Sequence, residues 1–107
     1  MFKKYKDGEL VTVKLSSGEE VIGKFKAVNI DLERHWCELS IDKALTLMQS
    51  SKGLAFGTFL ATAEQSKPIS IALKHVTAIS YINDKIKAEY ERVFSTVKVP
   101  EKPKIIV

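Results

Sequence analysis

Residues 11–25, VTVKLSSGEEVIGKF, restrict the fold of this chain more than any other stretch. Val11, Val13 and Leu15 alternate with Thr12 and Lys14, which makes one face of an extended strand apolar and the other wet. Ser16-Ser17-Gly18 is a turn cluster, because serine bonds nearby backbone and glycine accepts positive φ without a steric cost. Val21, Gly23 and Phe25 then share one face of a second strand, with Lys24 and Lys26 on the other. A glycine inside such a strand marks a sharp bend or a close approach of another backbone. Two alternating strands, a tight turn and a bending glycine together predict the opening of a small, strongly curved barrel.

Residues 1–9 are too few and too charged for a stable helix, and Asp7-Gly8 marks a turn. The second strand is expected over residues 21–32. Its inward phase moves from Val21, Gly23 and Phe25 to Val28, Ile30 and Leu32, which requires a bulge or bend near Ala27. From Cys37 the odd positions run Cys37, Leu39, Ile41, Lys43, Leu45 and Leu47, a long strand with one irregular step at Asp42-Lys43. Ser50-Ser51-Lys52-Gly53 is a hairpin signal. Residues 54–63 follow, apolar on both faces, as expected of a strand pressed against another subunit. Ser66-Lys67-Pro68 breaks the pattern, Ile69, Ile71 and Leu73 resume it, Lys74-His75 interrupt it, and residues 76–82 form a last strand. Asn83 or Asp84 caps a helix whose apolar stripe is Ile86, Tyr90, Val93, Phe94 and Val97. That helix is expected to cover an open end of the barrel, and residues 98–107 to be an extended tail.

Composition narrows the chemistry. A chain of 107 residues with 45% hydrophobic content has room for one domain and a modest core. Seventeen basic against thirteen acidic residues leave a net charge of +4, which permits an anionic partner without demanding one. Cys37 is the only cysteine, so no intrachain disulfide forms and a reducing cytoplasm is the expected setting. No apolar run is long enough to span a bilayer. The chain shows no nucleophile with a base, no phosphate-binding glycine loop and no complete metal set, so neither enzymatic activity nor a cofactor is expected. His35-Trp36-Cys37 offers two metal ligands without a second pair, too few for a site.

Two segments carry a family resemblance. The alternating strand, the glycine turn, and Val21 two residues before Gly23 resemble the first motif of the Sm and Sm-like proteins, which include bacterial Hfq. LKHVTAIS, residues 73–80, resembles the second motif, and its Lys-His pair is closer to the Hfq version than to the Arg-Gly version. The layout around ALTLMQSSKGLAFGTFLATAEQ and the Tyr90 helix also resembles small Sm-like proteins of phages that infect marine cyanobacteria. The resemblance implies a mostly β fold, a small, strongly bent five-stranded Sm-like (SH3-like) open barrel with a C-terminal α-helix. It would occupy residues 1–97: a first motif at 11–33, an elaborated hairpin at 37–65, a second motif at 69–82 and the helix at 84–97.

The resemblance also implies a function. Sm-like proteins pair the free edges of neighbouring copies into closed rings of about five to seven subunits, and such rings bind single-stranded RNA in RNA processing or regulation. By that analogy Lys74 and His75 would line a central pore, with lysine as a point charge for phosphate and histidine to bond or stack. Asn29 and Asp31 fall in the other half of the family's pocket. There Asn29 replaces the usual Asp, Asp31 stands where a stacking residue is found, and Glu33 stands where an Asn reads uracil. Carboxylates beside a phosphate path repel RNA. His35 and Trp36, in the following turn, are secondary candidates for stacking on bases. The alternative is a structural or assembly ring that binds protein and uses the fold only to oligomerise. The expected setting is the cytoplasm, that of the host if the protein is of phage origin.

Overall fold

Three strands form an antiparallel meander in the computed structural model, which describes residues 2–64 and 66–98: β1 (Leu10–Leu15) and the much longer β2 (Glu20–Asp31) and β3 (Trp36–Ser50). The outer edge of β3 carries two short strands in tandem, β4 (Gly53–Thr58) on its second half and β5 (Ile69–Ala72) on its first. A three-residue 3-10 turn, Leu73–His75, leads from β5 directly into β6 (Val76–Tyr81), which pairs with β1. β5 and β6 therefore sit on opposite edges of the meander although only one tight turn separates them. Only a strongly curled sheet brings those edges so close, so the sheet, five strands wide, forms a half-barrel. A single helix, α1 (Asp84–Lys98), follows. Asn83 caps it, its side-chain oxygen accepting the Ile86 N–H at 2.9 Å.

The two longest strands, β2 and β3, each carry a bulge that adds to the curl, and the β1–β6 pairing shifts register between Lys14 and Leu15 as well. Phe25 faces Ile41 but Ala27 faces Ser40, so β2 carries one extra residue at Lys26, the phase slip expected near Ala27. Lys24 faces Asp42 but Ile22 faces Leu45, so β3 carries one extra residue at the irregular step expected at Asp42-Lys43. There Lys43 adopts a left-handed φ of 52°. The second bulge inverts the pattern beyond it. Leu39 and Ile41 point into the barrel, whereas Leu47, in odd register with them, lies beside Ile22 and Ile86 on the other face.

Val11, Val13, Leu15, Val21, Phe25, Leu39, Ile41 and Ile71 fill the barrel, and Tyr5 joins them from the N-terminal segment. The Tyr5 ring packs tilted against Phe25 at a centroid distance of 5.9 Å, and its hydroxyl donates to the Ile79 carbonyl at 3.2 Å. Gly8 N–H donates to the Phe25 carbonyl, and Phe25 N–H to the Glu9 carbonyl, both at 2.8 Å. The N-terminal segment thus completes the barrel interior, and the helix does not cover an open end of the barrel as expected. Helix α1 lies against the opposite face, where Tyr90 is fully buried and its hydroxyl donates to the Lys43 carbonyl at 2.6 Å. Burial, and then the charge of Asp42, push the Tyr90 phenol far above its ordinary range.

Val28 packs on the core, but Ile30 and Leu32 are 62% and 79% exposed, because the β2–β3 hairpin runs past the end of the barrel. The two-sided strand expected over residues 54–63 stops at Thr58. The chain then turns, so that Phe59 packs back on the core while Leu60 stays exposed. The helix begins where expected and reaches Lys98. From residue 99 onward the expected tail, with the side chains of Phe94 and Val97, lies outside the described residues. No helix among the described residues is long and apolar enough to cross a membrane.

Candidate functional site

The 3-10 turn sits where the barrel's two edges meet, and it sends its two basic residues to different places. Lys74 lines a hollow of about 170 Å³ together with His35, Trp36, Cys37 and Ala72. The β3–β5 pairing explains the meeting: Glu38 faces Ala72, so the residues just before Glu38 lie beside those just after Ala72. His75 instead turns toward the β1–β2 turn. Its Nδ1 lies 3.1 Å from Ser16 Oγ, and its carbonyl accepts the Ser16 N–H at 2.8 Å. No carboxylate bonds the other ring nitrogen among the described residues, so this Ser–His pair lacks the orienting third member of a hydrolytic triad.

Trp36 opens β3 opposite Asp31 and is 44% exposed. The indole N–H, a donor only, reaches Glu38 Oε1 at 2.8 Å, two residues along the same strand face. The other carboxylate oxygen of Glu38 accepts from Asn29 Nδ2 at 3.2 Å and from Ser70 Oγ at 3.1 Å. These bonds, from Trp36 first and then Asn29 and Ser70, hold the Glu38 carboxyl below its ordinary value, so it is a carboxylate at neutral pH. His35 precedes Trp36 with a left-handed φ of 55° at the last position of the turn, where its N–H donates to the Leu32 carbonyl at 3.3 Å. Histidine tolerates that region better than most side chains.

Of the residues expected to act together, Lys74, His35 and Trp36 share one hollow. Asn29 is tied to its rim through Glu38. Asp31 is not part of it: its carboxylate accepts the Arg34 N–H at 3.2 Å and pairs with the Arg34 guanidinium at 3.7 Å, which closes the hairpin turn. His75 lines a separate hollow with Ser16, Phe59, Leu60 and Ile71. Glu38 escapes a reading by residue type, since outward strand carboxylates are usually only solvated. Its place two residues after Trp36 and opposite Asn29 across the hairpin is the signal that finds it.

The arrangement offers a flat aromatic face, an imidazole and an ammonium around a small hollow. Its volume is below the roughly 300 Å³ of ordinary small-molecule pockets, which suits one ring laid against a wall. A larger hollow of about 550 Å³ lies between the sheet face and the start of α1. Its lining also holds an aromatic residue and a cation, Tyr81 and Lys14, but the Tyr81 ring packs on Tyr5 at a centroid distance of 4.8 Å and its hydroxyl donates to the Lys4 carbonyl at 3.0 Å, while the Thr12 hydroxyl is bonded to Glu20 at 2.7 Å. No group of three His, Cys, Asp or Glu side chains could hold a metal among the described residues. No protein-family model matches the chain, and no curated protein matches its sequence.

Proposed function

We propose that this chain is an Sm-like protein that assembles into a homomeric ring and binds single-stranded RNA, in RNA processing or regulation. It acts as a binding protein rather than an enzyme, in a cytoplasm where Cys37 stays a thiol. The observation that carries this reading is the hollow where the half-exposed Trp36 indole, His35 and Lys74 converge. Aromatic faces stack any base, and a nearby lysine draws the phosphate that follows it. The ring is supported by the sheet's ends, β4 and β5 on one side and β6 on the other, which are strand edges with backbone groups to satisfy. Head-to-tail pairing of such edges satisfies both and closes into a ring when the rotation allows. One lysine per copy is a weak attraction, and a ring multiplies it.

The test is binding of the purified protein to short oligo-U and oligo-A RNA at two salt concentrations, with its mass measured in solution. Affinity is expected to fall as salt rises. Lys74→Ala is expected to lower it several-fold and flatten the salt dependence. His75→Ala is expected to have a smaller effect, because that ring faces Ser16. Absence of binding at low salt would overturn the RNA reading. A second reading, an assembly ring that binds protein, would then stand. It is favoured by the exposed Ile30 and Leu32 at the hairpin tip.

A further inference from the structure

We infer that Glu38 is the positioning residue of this site: it clamps the Trp36 indole by its N–H and so presets the platform on which one base per chain stacks. The inference rests on the RNA reading above and adds a role that residue type alone argues against. A carboxylate near a phosphate path is ordinarily a repulsive charge. Here, though, both of its oxygens are engaged, one by Trp36 at 2.8 Å and the other by Asn29 and Ser70 at 3.2 and 3.1 Å. Asn29 comes from β2, Trp36 from β3 and Ser70 from β5, so one carboxylate ties the aromatic ring to three strands.

The consequence is entropic. A half-exposed tryptophan that is free to change rotamer loses that freedom when a base stacks on it, whereas a ring held by its N–H has already lost it. The indole has a single polar atom, and anchoring it on Glu38 leaves only the apolar faces for a ligand. His35, with its left-handed φ and its N–H bonded to the Leu32 carbonyl, closes the turn immediately before the ring. Asn29, which the resemblance would place in contact with RNA, thereby becomes a support of the platform through Glu38.

Two roles for Glu38 predict opposite signs. If it only contributes charge, removing it relieves repulsion and tightens RNA binding. If it positions Trp36, removing it weakens binding despite the gain in net charge. The experiment compares oligo-U affinity for the full chain with that of Glu38→Ala and Glu38→Gln. It also records the order of the indole N–H in free protein by nuclear magnetic resonance, where Trp36, the only tryptophan, gives the one such signal. Glu38→Ala is expected to bind about three- to tenfold more weakly and to show a mobile indole. Glu38→Gln keeps an acceptor for the indole, and is expected to bind at least as tightly as wild type with an ordered ring. Tighter or unchanged binding by Glu38→Ala, or an indole already mobile in the wild type, would overturn the positioning role while leaving RNA binding intact. A wild-type protein that does not bind RNA would overturn the RNA reading itself, and this role with it.

Discussion

Gly23→Ala is expected to destabilise the fold by about 2–4 kcal/mol, the cost of overpacking where the neighbours cannot yield. A methyl group on Gly23 would lie 2.3 Å from Ile41 Cγ2, 2.9 Å from the Asp42 carbonyl oxygen and 3.3 Å from Ala44 Cα. The Ile41 methyl could rotate away, but the other two atoms are backbone, at the bulge that lets β3 curl over β2. Relieving the clash means opening that bulge, and with it the inversion that sends Ile41 inward and Leu47 toward the helix. Glycine-to-alanine changes in unstrained places usually stabilise by about 0.4–1 kcal/mol through the unfolded chain, so the sign itself is informative. Gly57→Ala is the natural control. There the obstacle, at 2.9 Å, is Met48 Cε, the far end of a flexible side chain, and the cost should stay below about 1 kcal/mol. Urea midpoints measured at one protein concentration compare the two, since an oligomer's stability depends on concentration. Equal stability of Gly23→Ala and wild type would mean that β2 and β3 do not cross this closely.

The second large effect is at Tyr90. Tyr90→Ala is expected to cost about 3–5 kcal/mol, as for other buried aromatic truncations. Its ring is fully buried on the sheet face opposite the barrel core, and its polar tip bonds the sheet. Tyr90→Phe separates the two contributions. It keeps the ring and removes only the bond to the Lys43 carbonyl, at a cost of about 1 kcal/mol. That carbonyl belongs to the left-handed bulge residue that drops out of the β2 ladder, so the tyrosine supplies a partner that the sheet does not. Thermal unfolding followed by circular dichroism distinguishes these values. A Tyr90→Ala protein as stable as Tyr90→Phe would show that the helix contributes nothing through its buried face.

These two residues also show what can be read from a sequence of this kind. Gly23 announces a close backbone approach because no other residue type gains from having no side chain within an alternating strand. The slip near Ala27 is visible because strand faces have a period of two, so one extra residue flips every later side chain, whereas the step at Asp42-Lys43 shows only as a lysine among apolar odd positions, and the flip that carries Leu47 to the other face does not show. The helix stripe is plain. Which face that stripe covers is a different matter. Periodicity fixes the apolar side of an element but not the surface that receives it, and Tyr5, in a segment too short to show a period, is what completes the barrel. Ile30 and Leu32 mislead for a related reason: alternation continues past the point where the hairpin leaves the core, so apolar residues there stay exposed.

The site follows the same division. His35, Trp36 and Lys74 are chemically legible as residues that meet bases and phosphates, but their meeting depends on the pairing of Glu38 with Ala72, which joins segments far apart in the chain. The Lys-His pair reads as one unit in sequence, yet the 3-10 turn rotates successive side chains apart and delivers them to two hollows. Asp31 reads as a pocket residue, and the local turn takes it first, as short acidic side chains beside tight turns often do.

The most direct measurement of the proposed site is the emission of Trp36 itself as oligo-U RNA is added at low salt, with no label required because the chain has one tryptophan. Stacking of a base on the exposed face of the indole should quench that emission saturably. The midpoint should move to higher RNA concentration as salt increases, and in Lys74→Ala it should start at a higher concentration and move less with salt. RNA that binds without changing the emission, or emission that stays constant throughout the titration, would contradict a binding site at Trp36.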